Sequence, residues 1–129
     1  MADYTFARTL DTDLADAEAR TRAALADEGF GVLTEIDIQT TLKNKLDVDV
    51  PGYRILGACN PPLAHRAMQA EPRIGAMLPC NVILRDLGDG TTEVAAVDPV
   101  ASMAAVENAD LGDVAAEVRD RLQRVVEAL

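Results

Sequence analysis

Asn81-Val82-Ile83-Leu84-Arg85-Asp86-Leu87-Gly88-Asp89-Gly90-Thr91-Thr92-Glu93-Val94-Ala95-Ala96-Val97 decides the fold class. Two runs rich in Val, Ile and Leu flank a Gly-Asp-Gly turn, and glycines supply the backbone freedom that a tight reversal needs. The pattern predicts a strand over about 81–87, a hairpin turn at 88–90 and a second strand over 91–97. A hairpin late in the chain means antiparallel pairing, so a purely parallel doubly wound sheet is excluded.

Working outward, Asp98-Pro99 breaks the second strand, and Val100 to Val106 reads as one or two helical turns carrying Met103. Asp110 then stands where it would cap a long helix. Leu111, Val114, Ala115, Val118, Leu122, Val125, Val126 and Leu129 follow at 3, 4, 7 spacing, a stripe that packs one face on a sheet. At the other end, Tyr4, Phe6 and Leu10 alternate with Thr5 and Thr9, which predicts a strand over about 3–10. Asp11 or Thr12 offers a cap for a helix over about 13–28, and Gly29 ends it.

Phe30, Val32, Thr34 and Ile36 open the next strand, and Leu33 on its opposite side suggests partial cover there. Asp37 can cap a short helix bearing Ile38, Leu42 and Leu46. Asp47 to Gly52 is a loop, and Tyr53 to Ala58 a buried strand in which Gly57 marks a close backbone approach. Asn60-Pro61 starts a helix over about 61–70, with Asn as cap and Pro at the first helical position. Pro72 interrupts it, and Arg73 to Met77 reads as a short turn before Pro79 extends the chain. The order strand, helix, strand, helix, strand, helix, strand, strand, helix predicts an α+β two-layer sandwich: a mainly antiparallel sheet with helices largely on one face. At 129 residues one domain over 1–129 is expected.

Composition excludes several function classes. The net charge of −10 repels nucleic-acid backbones and anionic membranes, and the 3% aromatic content leaves no base-stacking platform. No apolar run approaches membrane-spanning length, and the first residues lack a basic leader, which predicts a cytosolic protein holding its two cysteines as thiols. The charge is uneven. Between Gln39 and Arg85 six bases meet three acids, a local +3, leaving −13 for the remainder.

Three blocks carry a resemblance: Gly29-Phe30-Gly31-Val32-Leu33-Thr34-Glu35-Ile36-Asp37, Tyr53-Arg54-Ile55-Leu56-Gly57-Ala58-Cys59-Asn60-Pro61, and Leu78-Pro79-Cys80-Asn81-Val82. In this order they resemble the bacterial and archaeal domain of unknown function 302 family. The resemblance implies a TATA-box-binding-protein-like α+β fold and a stand-alone, homodimeric domain. It carries no activity, and function resides in sites rather than folds.

The candidate chemistry clusters in the last two blocks. Cys59 precedes a helix N-terminus, where free N–H groups and the macrodipole favour a thiolate. The plain alternative is a buried small residue at a strand end. Whether Cys59 and Cys80 become neighbours depends on whether the intervening excursion returns to the same sheet edge. If it does, they could hold a soft metal, copper(I) or zinc, with His65, Met77 or Met103. A second reading is a non-catalytic module for a small anion, held by Arg54 within its apolar strand, by Lys43 and Lys45, and by donors on Asn60, Asn81 and the helix N-terminus. An enzyme is the third. Cys59 with His65 supplies the minimum for nucleophilic catalysis, yet matches no nucleophile motif, and surface solvation explains Glu35 and Asp37. The preferred expectation is small-anion binding around the two Cys-Asn elements, ahead of soft-metal or thiol redox chemistry.

Overall fold

The computed structural model describes residues 3–129, and the elements run in the predicted order. They are β1 (Thr5–Leu10), α1 (Leu14–Asp27), β2 (Gly31–Asp37), α2 (Ile38–Leu46), β3 (Tyr53–Cys59), α3 (Pro61–Ala70), a 3-10 turn (Ile74–Met77), β4 (Cys80–Asp86), β5 (Thr92–Val97), α4 (Pro99–Ser102) and α5 (Ala109–Glu127). The five strands form one open sheet in the order β1-β5-β4-β3-β2, with every neighbouring pair antiparallel. Among the described residues no helix is long and apolar enough to cross a membrane.

Local chemistry accounts for most boundaries. The β4–β5 hairpin turns through Gly88 and Gly90, both at φ +84°, in the left-handed region where a side chain would be strained. The Asp86 and Asp89 carboxylates accept from the Gly88 and Thr91 N–H groups at 2.8 and 3.0 Å. Gly29, at φ +83°, ends α1 as expected. The α1 cap is Asp13 rather than Asp11 or Thr12, because the Thr12 hydroxyl donates to Asp16 and the Thr12 carbonyl accepts from the Thr92 hydroxyl. At α5 the cap is Asn108, whose side chain accepts from the Asp110 N–H at 3.0 Å; Asp110 instead contributes negative charge to the first turn.

The alternation of each strand divides the sheet into two faces. Phe6 and Leu10, Leu56 and Ala58, Cys80, Val82 and Leu84, and Val94 and Ala96 share one face and meet α1 and α5 through Ala17, Leu25, Leu122, Val125 and Val126. The Leu, Val and Phe side chains among them contribute roughly 1.5–3 kcal/mol each on burial. A second apolar cluster fills the space beside that core, with Leu63 and Ala67 of α3, Ile74, and Leu111 and Val114 of α5. On the other face lie Ile55, Asn81, Ile83, Arg85 and Glu93.

The expected cover over Leu33 is absent. The β2–β3 register shifts between Val32 and Thr34, so Leu33 is the extra residue of a bulge and stays 66% exposed. Gly57 is a close approach, as its place in a buried strand suggested. A Cβ there would overlap the Thr34 hydroxyl and come within 2.7 Å of the Pro79 ring.

Candidate functional site

The excursion through α3 and the 3-10 turn returns to the neighbouring strand. Since β3 and β4 are antiparallel, Ala58 stands directly across from Cys80, and Cys59 is one residue further along. The two cysteines therefore come together at one end of the sheet as free thiols. They line a cavity of about 290 Å³ between the strand ends, α3 and α5. Leu63, Ala67, Leu111, Val114 and Val118 supply much of its apolar wall. Asn60 is the one amide among the lining residues.

Asn60 is only 8% exposed, and its side chain is already engaged. Its Oδ1 accepts from the Leu63 N–H at 3.3 Å, capping α3, and its Nδ2 donates to the Glu28 carbonyl at 3.5 Å. The cap uses one of the N–H groups that would otherwise favour negative charge beside Cys59. Burial is the larger influence on the thiols. It pushes the Cys59 thiol up from its ordinary value. At Cys80, burial and then the neighbouring Cys59 push the pKa up to about 11. Both groups are therefore neutral thiols at neutral pH, contrary to the thiolate that a helix N-terminus alone favours.

Arg54 does not reach this cavity. It shares the helix-facing side of β3 with Leu56 and Ala58, but sits five residues from Cys59, about 17 Å along an extended strand. Its Nη1 lies 2.6 Å from Glu18 Oε1 and 3.8 Å from Glu35 Oε1. Arg22 joins the group, with Nε 3.0 Å from Glu18 Oε2 and Nη2 2.9 Å from Glu35 Oε2. At Glu18 burial acts to raise the pKa, but hydrogen bonds from Arg54 and Arg22 and their charge outweigh it, and the net shift is downward. Arg54 is raised chiefly by its bond to Glu18. Its charge is thus already matched by two carboxylates within the fold.

Lys43 and Lys45 lie on α2, which follows the far end of β2. Lys43 Nζ pairs with Asp47 at 2.9 Å and Asp49 at 3.2 Å, and Lys45 is exposed. Asn81 is exposed on the other sheet face, across from Gly57. The structure therefore divides the residues expected to hold an anion between two ends and two faces of the sheet.

The expected metal set divides similarly. Met103 lines the cavity with the two cysteines. His65 is exposed on α3, away from the inward-facing Leu63 and Ala67, and Met77 is 41% exposed on the 3-10 turn and does not line the cavity. Among the described residues no three His, Cys, Asp or Glu side chains gather to hold a metal. Met68 does line the cavity and was not anticipated. Its position four residues beyond Ala64, which also lines the cavity, places the two on one side of α3. The α5 stripe was legible as core, but periodicity alone does not say where core packing leaves a void.

Comparison with known proteins agrees with this architecture. Among solved structures, the crystal structure of an uncharacterized conserved DUF302 protein from Bacillus stearothermophilus aligns over 98% of this chain and 98% of its own length, at 26% identity and a TM-score of 0.90. No curated protein matches the chain. The model of the family described as "Domain of unknown function DUF302" matches residues 6–129. With the match spanning nearly all of the sheet and helices described above, the chain belongs to the DUF302 family.

Proposed function

We propose that this domain is a non-catalytic binding module whose ligand is a small, largely apolar molecule held in the cavity between α3, α5 and the ends of β3 and β4. The observation that carries the reading is the cavity itself: about 290 Å³ of space with a wall of aliphatic side chains and sulfurs. An apolar void of about 150 Å³ stays dry and accepts a benzene-sized guest, so this one suits a molecule on the order of ten to twenty non-hydrogen atoms. Water gains few hydrogen bonds from such a wall, and burying apolar ligand surface contributes roughly 25 cal/mol per Å².

An anion is a poorer fit than the sequence suggested. No cationic side chain lines the cavity, and a buried charge without a partner costs several kcal/mol. Catalysis is not favoured either, since the two thiols that border the cavity are shifted away from the reactive thiolate.

The test is fluorescence titration with the uncharged probe N-phenyl-1-naphthylamine. Saturable binding is expected for the unaltered chain. Ala67→Phe places a ring into the cavity and should abolish that binding while the circular dichroism spectrum stays unchanged. Non-saturable binding, or saturable binding that Ala67→Phe leaves intact, overturns the reading. If Ala67→Phe perturbs the fold, Met68→Phe at the more exposed rim serves as the second variant, with the same expected loss.

A further inference from the structure

The helices α1 and α5 take one face of the sheet, and the strand register shows what the other face presents. Ile36, Ile55, Ile83, Ala95 and Ala7 stand side by side across it, one from each strand between β2 and β1. Thr34, Gly57 and Asn81 flank this row on one side, and Tyr53, Arg85, Glu93 and Thr9 on the other. Charged residues make up 26% of the chain, yet these rows hold only Arg85 and Glu93, which bond to each other at 2.7 Å. The face is therefore apolar along its centre and neutral as a whole.

Beside it stands α2. Its stripe of Ile38, Leu42 and Leu46 repeats every four residues, yet no residue of the helix is buried and Leu46 is 66% exposed. Ile38 and Leu42 border a space of about 290 Å³ together with Tyr53 and Arg85, so the stripe and the open face are continuous. A helix of nine residues is too short to persist on propensity alone and relies on packing its apolar side. That side finds little cover within one copy of the chain.

We infer that a second copy of this chain closes the surface, face to face about a two-fold axis running along β4. Shape favours this occupant. The central row is graded, with three isoleucines toward β2 and two alanines toward β1. A two-fold axis along the middle strand sets Ile36 over the partner's Ala7 and Ile55 over the partner's Ala95, while Ile83 meets its own counterpart. Bulk faces hollow, which is the interdigitation that packed sheets need and the self-complementarity that a two-fold interface requires.

Charge and size agree. Each copy carries −10, so two copies can meet only through surfaces that hold almost none of that charge, as this face does. A basic partner would instead be drawn to the acidic remainder of the molecule. Five strands about 4.8 Å apart and about six residues long present roughly 24 by 20 Å, and α2 adds a strip about 13 Å long. Two such surfaces together bury about 1,000 Å² or more, the size that separates a specific interface from a chance contact. The surface lies apart from the cavity between α3 and α5, so the inference does not depend on the ligand reading.

Sedimentation equilibrium across micromolar concentrations tests it. The unaltered chain should show twice its 13.7 kDa mass. Ile83→Glu sets a carboxylate at the centre of the face, where burial against a partner leaves the charge unpaired, and should reduce the mass to that of one chain. Circular dichroism should stay unchanged, because the Ile83 side chain is only half-buried in the single copy. If Ile83→Glu disturbs the fold, Ile36→Glu, at the more exposed edge of the same row, should give the same loss. Val100→Glu, exposed on α4 where that helix packs on α5, should keep the double mass. A single-chain mass for the unaltered protein leaves the face to some other partner and overturns the proposal. A double mass that both Ile→Glu variants retain, or one that Val100→Glu also halves, overturns it as well.

Discussion

Glu18 Oε1 of α1 lies 2.6 Å from Arg54 Nη1 of β3, and this contact closes a four-membered network in which Arg22 and Glu35 complete the alternation of charge. The Glu18 side chain is only 13% exposed, so the pair is screened less than a surface ion pair. It ties α1 to the far end of the sheet, away from the thiols.

The network makes acid stability depend on Glu18. Its folded-state pKa is lowered from 4.5, so its contribution is fully present above that unfolded value and is lost as pH falls through the folded one. Melting temperature followed from pH 7 down to pH 2 should therefore fall more steeply below about pH 4.5 for the unaltered chain than for Glu18→Gln. At pH 7 the variant should be less stable by about 1–3 kcal/mol, the cost of weakening a charged hydrogen-bond network. Parallel curves for the two chains would show that Glu18 does not report the network.

Thiol reactivity should separate the two cysteines. With Cys80 held near 11, its thiolate fraction at pH 8 is about 0.1%, roughly a hundredfold below that of a free thiol. Iodoacetamide labelling at pH 8 followed by mass spectrometry should modify Cys59 first and Cys80 only after far longer exposure or unfolding. Cys59, also shifted upward, should react more slowly than a free cysteine peptide. Labelling of Cys59 faster than that peptide would restore the case for a nucleophile. Because both folded values are raised, the stability these thiols contribute is present below the unfolded value of 9.0 and is lost as pH rises through the folded values, which for Cys80 is about 11.

Two glycines in adjacent strands should respond unequally to the same change. A Cβ at Gly57 meets the Thr34 hydroxyl and the Pro79 ring, whereas one at Gly31 has nothing within 4 Å. Gly57→Ala should lower stability by about 1–3 kcal/mol, as overpacking does in a filled interior. Gly31→Ala should stay within about 0.5 kcal/mol of the unaltered chain. Urea unfolding of the two variants provides the comparison, and equal midpoints would mean that Thr34 and Pro79 give way freely.

The residues that the sequence read well are those whose conformation depends on their immediate neighbours. The Gly88 to Gly90 turn, the Asn60-Pro61 helix start, the Asp37 cap and the Gly29 stop all follow from backbone preferences and short-range hydrogen bonds, and the structure contains each of them. The α5 stripe was likewise legible, since 3.6-residue periodicity records which side of a helix loses its water. Caps were missed by one or two residues where several candidates competed. Thr12 was drawn off to Asp16 and Thr92, and Asn108 took the position that Asp110 also suited.

The candidate site was only half legible, because its assembly depends on strand order and register. By itself the sequence determined that two Cys-Asn elements end or begin buried strands, that Arg54 interrupts an apolar run, and that an antiparallel hairpin must be present. Tertiary structure alone decided that β3 and β4 are antiparallel neighbours, which brings Cys59 and Cys80 to the same end of the sheet, and that Arg54 meets Glu18 of α1 and Glu35 of β2, which match its charge. It also placed Met68 and Met103 on the wall with the thiols while leaving His65 outside. The physical reason is that caps and turns are bonded within a few residues. A cavity instead forms where elements distant in sequence fail to fill the space between them.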